Sequence, residues 1–128
     1  MASESNTRPL SIALVVFGVI FTFGIYPLTI VWPAGWNWGP GGEHYLQMII
    51  GVYATLGIFL MMAARNPLGN LSLIRFTVWS SVVHAGIMAY QAATDPLQHG
   101  HMFGDVAALF LVAIVLAVLT PRRLASAA

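Results

Sequence analysis

Four long apolar runs, separated by short stretches rich in Gly, Pro, Asn and Trp, decide most of what this chain can become. A helix needs about 20 predominantly apolar residues to cross about 30 Å of hydrocarbon. The runs at about residues 10–32, 45–64, 71–93 and 103–120 reach that length. The first two carry no charge, the third holds Arg75 and His84, and the fourth has Asp105 in its first turn. None alternates apolar and polar residues over about 10 positions, as a membrane β-strand would.

Composition removes the alternatives. Of 128 residues, 59% are hydrophobic and 7% charged, against about 45–50% and about 25% in an ordinary soluble domain. A chain this small leaves too much of its surface exposed to hide that apolar content from water. A soluble globular domain, a disordered tail, a coiled coil and a nucleic-acid binder are therefore excluded, and the lipid bilayer becomes the expected partner. The net charge of +1 builds no field to steer a charged ligand. There is no cysteine, so disulfides, thiolate metal sites, Fe–S clusters and thiol redox cycles are excluded.

The connections fit a bundle. Residues 33–42 are punctuated by Gly and Pro and are expected to be non-helical. Residues 65–70 form a short turn, with Asn70 or Ser72 placed to cap the third helix. Pro96 and Pro121 stop the third and fourth helices, and the tail at 124–128 is expected to fray. Short links force neighbouring helices to be antiparallel. The expected fold is an all-α, transmembrane, up-down-up-down four-helix bundle forming one domain over residues 1–128. The first run exceeds the roughly 7–15 apolar residues of a signal peptide and is read as a retained span. Arg8, Arg65, Arg122 and Arg123 all fall at one end, while the opposite loops hold Glu43 and Asp95 and no Lys or Arg. The positive-inside rule then places both termini in the cytoplasm. Arg75 is expected to snorkel to that face, and Trp32, Trp36 and Trp38 to mark the outer interface.

Polar groups within the spans carry the functional expectations, because they are costly in lipid and face the bundle interior. At about 100° per residue, Thr77, Ser80, Ser81, His84, Met88 and Gln91 share one face of the third helix. Thr22, Tyr26 and Thr29 form a stripe on the first helix, where Pro27 frees a carbonyl and kinks the rod. His44, Gln47, Gly51 and Thr55 share a face of the second, and Gly51, Ala54 and Gly57 allow a neighbour to approach closely. One outcome is an interior polar pocket in the outer half, lined by His84, Ser81, Thr77 and Gln91 with Tyr26 and Gln47 opposite. The other is interhelical hydrogen bonding alone, at about 0.6 kcal/mol per bond.

A second cluster lies on the outer rim, where Glu43, His44, Asp95, His99, His101 and Asp105 gather. His101 and Asp105 are i, i+4 and share a face if the helix starts early enough. Imidazole plus carboxylate suits a divalent metal such as zinc or copper(II), so His44, His101 and Asp105 are the candidate ligands. The spacing matches no named metal motif. A haem between helices would need His84 and a second imidazole, and His84 lies about 10 Å below the rim. No phosphate loop or nucleophile elbow is present. No acid sits at mid-membrane in the first, second or fourth helix, so the coupling site of a proton-driven multidrug transporter is missing.

The segments GVYATLGIFL at 51–60 and RFTVWSSVVHAG at 75–86 resemble an uncharacterised family of small four-span bacterial inner-membrane proteins, distantly DoxX-like. The resemblance covers the second to fourth helices and implies a bundle in a bacterial inner membrane, with no activity attached. The leading expectation is a non-enzymatic membrane protein whose interior pocket takes a small ligand, a metal or a partner subunit. The alternatives are a haem-binding or anchoring subunit of a redox complex and a structural accessory subunit, with a membrane-protein partner or a second copy as the associate.

Overall fold

A computed structural model describes residues 6–38 and 43–121. Arg122, Arg123, the tail at 124–128, residues 39–42 and the Glu43 side chain lie outside the described residues. Every regular element among the described residues is helical. Helix α1 (Arg8–Val19) passes through one π-helical turn, Ile20–Gly24, into α2 (Ile25–Val31). A short α3 (Pro33–Trp36) follows, then α4 (Glu43–Ala63). A 3₁₀ turn, Pro67–Asn70, leads into α5 (Leu71–Thr94), and a 3₁₀ segment, Pro96–Phe103, leads into α6 (Asp105–Leu119). Four helical stretches, Arg8–Val31, His44–Ala63, Pro67–Thr94 and Pro96–Leu119, are long and apolar enough to cross a membrane. Large apolar side chains stand exposed all round them, among them Val31, Phe76, Trp79 and Val118. A water-soluble monomer rarely tolerates so continuous an apolar surface.

Local chemistry sets the ends, and in three places it departs from the expected pattern. Pro33 opens a helical turn inside the stretch expected to be irregular, because proline at the first helical position gives up an N–H that has no partner anyway. The turn before α5 is capped by Asn66 rather than by Asn70 or Ser72. The Asn66 side chain accepts from the Gly69 N–H at 3.3 Å, while Asn70 donates its amide to the Asn66 carbonyl at 2.9 Å. Ahead of Pro27 the chain widens into the π turn at Ile20–Gly24, an adjustment that re-satisfies backbone groups next to a proline in a spanning helix. Asp95 caps the last 3₁₀ segment by accepting from the Leu97 N–H at 3.0 Å.

The helices run alternately antiparallel. Arg8 shares a groove with Arg65, Gly18 meets Gly57, and Thr22 donates to the Ala54 carbonyl at 3.2 Å, so numbers rise on α1 as they fall on α4. Gly18 and Gly57 let the two backbones touch. A Cβ at Gly18 would stand 2.7 Å from the Gly57 carbonyl oxygen, and one at Gly57 would stand 2.5 Å from that of Gly18. Small residues at a crossing are how spanning helices gain close packing. Gly51, by contrast, faces open space.

Helices α5 and α6 make the most extensive pair, and α1 also touches α6, whereas α4 and α5 barely meet. The core therefore runs from Leu14 and Phe17 of α1 through Leu60 of α4 and Ile74 of α5 to Leu109, Val112 and Leu116 of α6. The α4–α5 seam is the loosest in the bundle. Arg75 departs from simple snorkelling: its Nη2 is buried and has no hydrogen-bond partner among the described residues.

Candidate functional site

The loose seam opens onto a cavity of about 350 Å³ in the half of the bundle away from the chain termini. Phe17, Phe21 and Ile25 form one wall, carried across the π turn. Such turns recur at functional sites because they re-aim side chains without breaking the helix. Leu46, Ile50 and Tyr53 of α4 project into it at helical spacing, opposite His84, Met88 and Gln91 of α5. Leu109 and Val112 of α6 close the back, and Trp36, Trp38 and Asp105 form the rim. The walls are apolar and the few polar groups sit at the two ends, the usual make-up of a small-molecule site.

At the deep end the Tyr53 hydroxyl lies 2.6 Å from His84 Nδ1. Tyr53 also stands edge-on to Phe21, with ring centroids 5.1 Å apart and planes at 80°, a favoured aromatic geometry. With Nδ1 engaged by Tyr53, the second ring nitrogen of His84, Nε2, has no hydrogen bond among the described residues. His84 and Gln91 are the polar side chains that α5 brings to a mainly apolar cavity.

At the rim, four residues from two distant loops are tied together. Trp38 donates its indole N–H to Asp105 Oδ2 at 2.7 Å. His101 Nδ1 lies 3.0 Å from Asp105 Oδ1, and His101 Nε2 lies 3.2 Å from the Asn37 carbonyl oxygen. The indole of Trp38 stacks on the His101 ring at 3.9 Å and 24°. A carbonyl only accepts, so Nε2 donates to Asn37 and the remaining shared proton lies between Nδ1 and Asp105. His101 is 1% exposed, and the network satisfies both ring nitrogens and both carboxylate oxygens. Next to it Gly104 presses on the Gly35 backbone so closely that a Cβ at Gly104 would collide with the Gly35 carbonyl. Trp36 differs from Trp38: its indole N–H is buried and has no partner among the described residues. A buried donor left unpaired is costly and calls for an explanation.

The expected pocket residues divide. His84 and Gln91 line the cavity. Thr77 and Ser81 do not; they lie on the buried face of α5, the helix that packs most closely on α6, and Thr77 donates to the Leu73 carbonyl of its own helix at 2.9 Å. Tyr26 is 60% exposed, because the wider π turn shifts the helical phase of every residue after it. Gln47 is exposed as well, since the cavity side of α4 is the face of Leu46, Ile50 and Tyr53. The rim candidates divide too. His101 and Asp105 are bonded to each other, but His44 is exposed on α4 and away from them. Among the described residues no three His, Asp or Glu side chains converge as a metal-ligand set. His44 does not line the cavity that His84 borders.

Tyr53 and Phe21 carry no local sequence signal of a site, and Trp36 and Trp38 read from the sequence only as interface anchors. The i, i+4 spacing of His101 and Asp105 was a visible signal, but Trp38 lies 67 positions from Asp105 and no local pattern joins them.

A model of a family of unknown function (DUF6632) matches residues 4–126, and the chain belongs to that family. No curated protein and no solved structure matches it.

Proposed function

We propose that this member of a family of unknown function is a multi-pass inner-membrane protein that binds a small, mainly apolar molecule in the cavity between α4 and α5. One observation carries the reading: a mainly apolar space of about 350 Å³ is lined by Trp36, whose buried indole N–H has no partner among the described residues, and by His84 and Gln91, which add polar groups to its wall. A ligand with a long apolar body and a hydrogen-bonding group fits both features. The body fills the space between Phe21, Ile50 and Val112, and the polar group meets Trp36 or His84. Entry is from the bilayer, through the seam where α4 and α5 barely touch. The protein acts as a binding module rather than an enzyme, forms one membrane domain, and has both termini in the cytoplasm. Arg8 and Arg65 at the terminal end, with no Lys or Arg at the loop end, support that orientation.

The test is to purify the full chain in mild detergent, extract it with organic solvent and identify what co-purifies. Ala108→Trp places an indole in the cavity wall. A lipid-soluble molecule retained by the native protein and lost from a folded Ala108→Trp variant supports the reading. The same retained molecules in both proteins, or none in either, overturn it.

A further inference from the structure

A second groove lies at the opposite end of the molecule, on the outside of the α1–α4 pair, and is separate from the cavity above. Arg8, Ser11 and Arg65 stand at its end, and Ile12, Val15 and Met61 form its walls. Its volume is about 550 Å³. Ile12 and Val15 are exposed although both are large and apolar, which in a spanning helix marks contact with acyl chains. Arg8 opens α1, and Arg65 follows α4 by two residues, so both guanidinium groups sit where the spans leave the hydrocarbon.

Two like charges in one groove repel unless an anion lies between them. Guanidinium groups hold phosphate oxygens through paired N–H donors, and the Ser11 hydroxyl is a further donor. Directly below lies an apolar channel, walled by Ile12, Val15 and Met61, that a phosphate without an acyl chain would leave bare. We propose that this groove binds an anionic phospholipid, with the phosphodiester held between Arg8 and Arg65 and one acyl chain lying along Ile12 and Val15. Basic pockets between spanning helices on the cytoplasmic side recognise anionic headgroups in this way. The site sits on the leaflet where the positive-inside rule places these arginines, and it gives the α1–α4 hairpin a lipid of defined chemistry at its base.

The experiment is native mass spectrometry of the full chain released from mixed micelles holding equal phosphatidylglycerol and phosphatidylcholine. The native protein retains phosphatidylglycerol in preference by about thirtyfold, the size expected of two basic contacts at about 1 kcal/mol each. The Arg8→Gln/Arg65→Gln pair abolishes the preference, while Arg8→Lys/Arg65→Lys keeps most of it. Val15→Trp, which fills the apolar part and leaves both charges, lowers retention of either lipid and guards against misfolding of the charge variant. Equal retention of the two lipids by native protein, or an undiminished preference in the Gln pair, overturns the proposal. Displacement by inorganic phosphate at millimolar concentration also overturns it, since the groove would then take free phosphate rather than a lipid.

Discussion

The Tyr53 hydroxyl and His84 Nδ1, 2.6 Å apart, tie α4 to α5 at the floor of the cavity, across a seam that has little other contact. The tie has two consequences. It bridges the seam at one point, and it engages Nδ1 of a ring that lines the cavity, leaving Nε2 without a hydrogen bond among the described residues.

Tyr53→Phe removes the hydroxyl and keeps the ring that packs on Phe21. Interhelical hydrogen bonds in membranes are worth about 0.6 kcal/mol on average and about 1.7 at most. The variant is expected to lose stability within that range in detergent unfolding titrations. Because it also frees the seam, it should release any co-purifying molecule faster than native protein. Unchanged stability would mean that the two helices are held by something else.

What the sequence disclosed, and what it hid, follows from the range of each signal. Span length and hydropathy are local sums, so the presence of four helices long and apolar enough to cross a membrane was legible, although the fourth stretch begins at Pro96 rather than near 103. Small residues pointed to a close approach at Gly51, Ala54 and Gly57, and the approach is made at Gly57, whereas Gly51 faces open space. Which neighbour a polar face meets was not legible. Thr77, Ser81 and His84 share one stripe, yet the first two are buried in the packing of the bundle and, of the three, only His84 reaches the cavity. The π turn hid the orientation of Tyr26, since a single widened turn moves all later residues off a 3.6-residue wheel. The Trp38–Asp105 bond joins residues far apart in sequence, and pattern reasoning does not reach that far.

The crossing of α1 and α4 predicts opposite outcomes for two glycines on one helix. Gly57→Ala drives a methyl against the Gly18 backbone and Thr22, and overpacking of this kind costs about 1–3 kcal/mol. Gly51→Ala meets nothing and should be neutral or raise stability by about 0.5–1 kcal/mol through lower backbone entropy in the unfolded chain. Thermal melts of the two variants side by side check the claim. A crossing that tolerates Gly57→Ala without loss would contradict the close approach.

The rim network predicts a graded response. Asp105→Ala leaves both the Trp38 indole N–H and the His101 imidazole without their acceptor. Breaking a buried pair from one side costs about 3–5 kcal/mol. Trp38→Phe removes a single charge-assisted bond, a loss of about 1.5–3 kcal/mol. The double variant should cost less than the two singles added together, because they share one interaction. Strict additivity in unfolding measurements would show that Trp38 and Asp105 act independently.

Orientation can be read directly, because the chain has no cysteine of its own and a single introduced thiol reports its own position. Asn6 and His99 are both exposed, one beside the start of α1 and the other in the 3₁₀ segment at the opposite end. In intact cells His99→Cys is expected to react with a membrane-impermeant maleimide, whereas Asn6→Cys should react only after the membrane is opened. The physical basis is the placement of Arg8 and Arg65 at the Asn6 end, which resists transfer across the bilayer. Replacing both arginines by glutamine weakens that bias and should give a mixed population in which each thiol is partly accessible. If Asn6→Cys labels in sealed cells while His99→Cys does not, the arginines face outward. The lipid groove at their base would then draw on the outer leaflet instead.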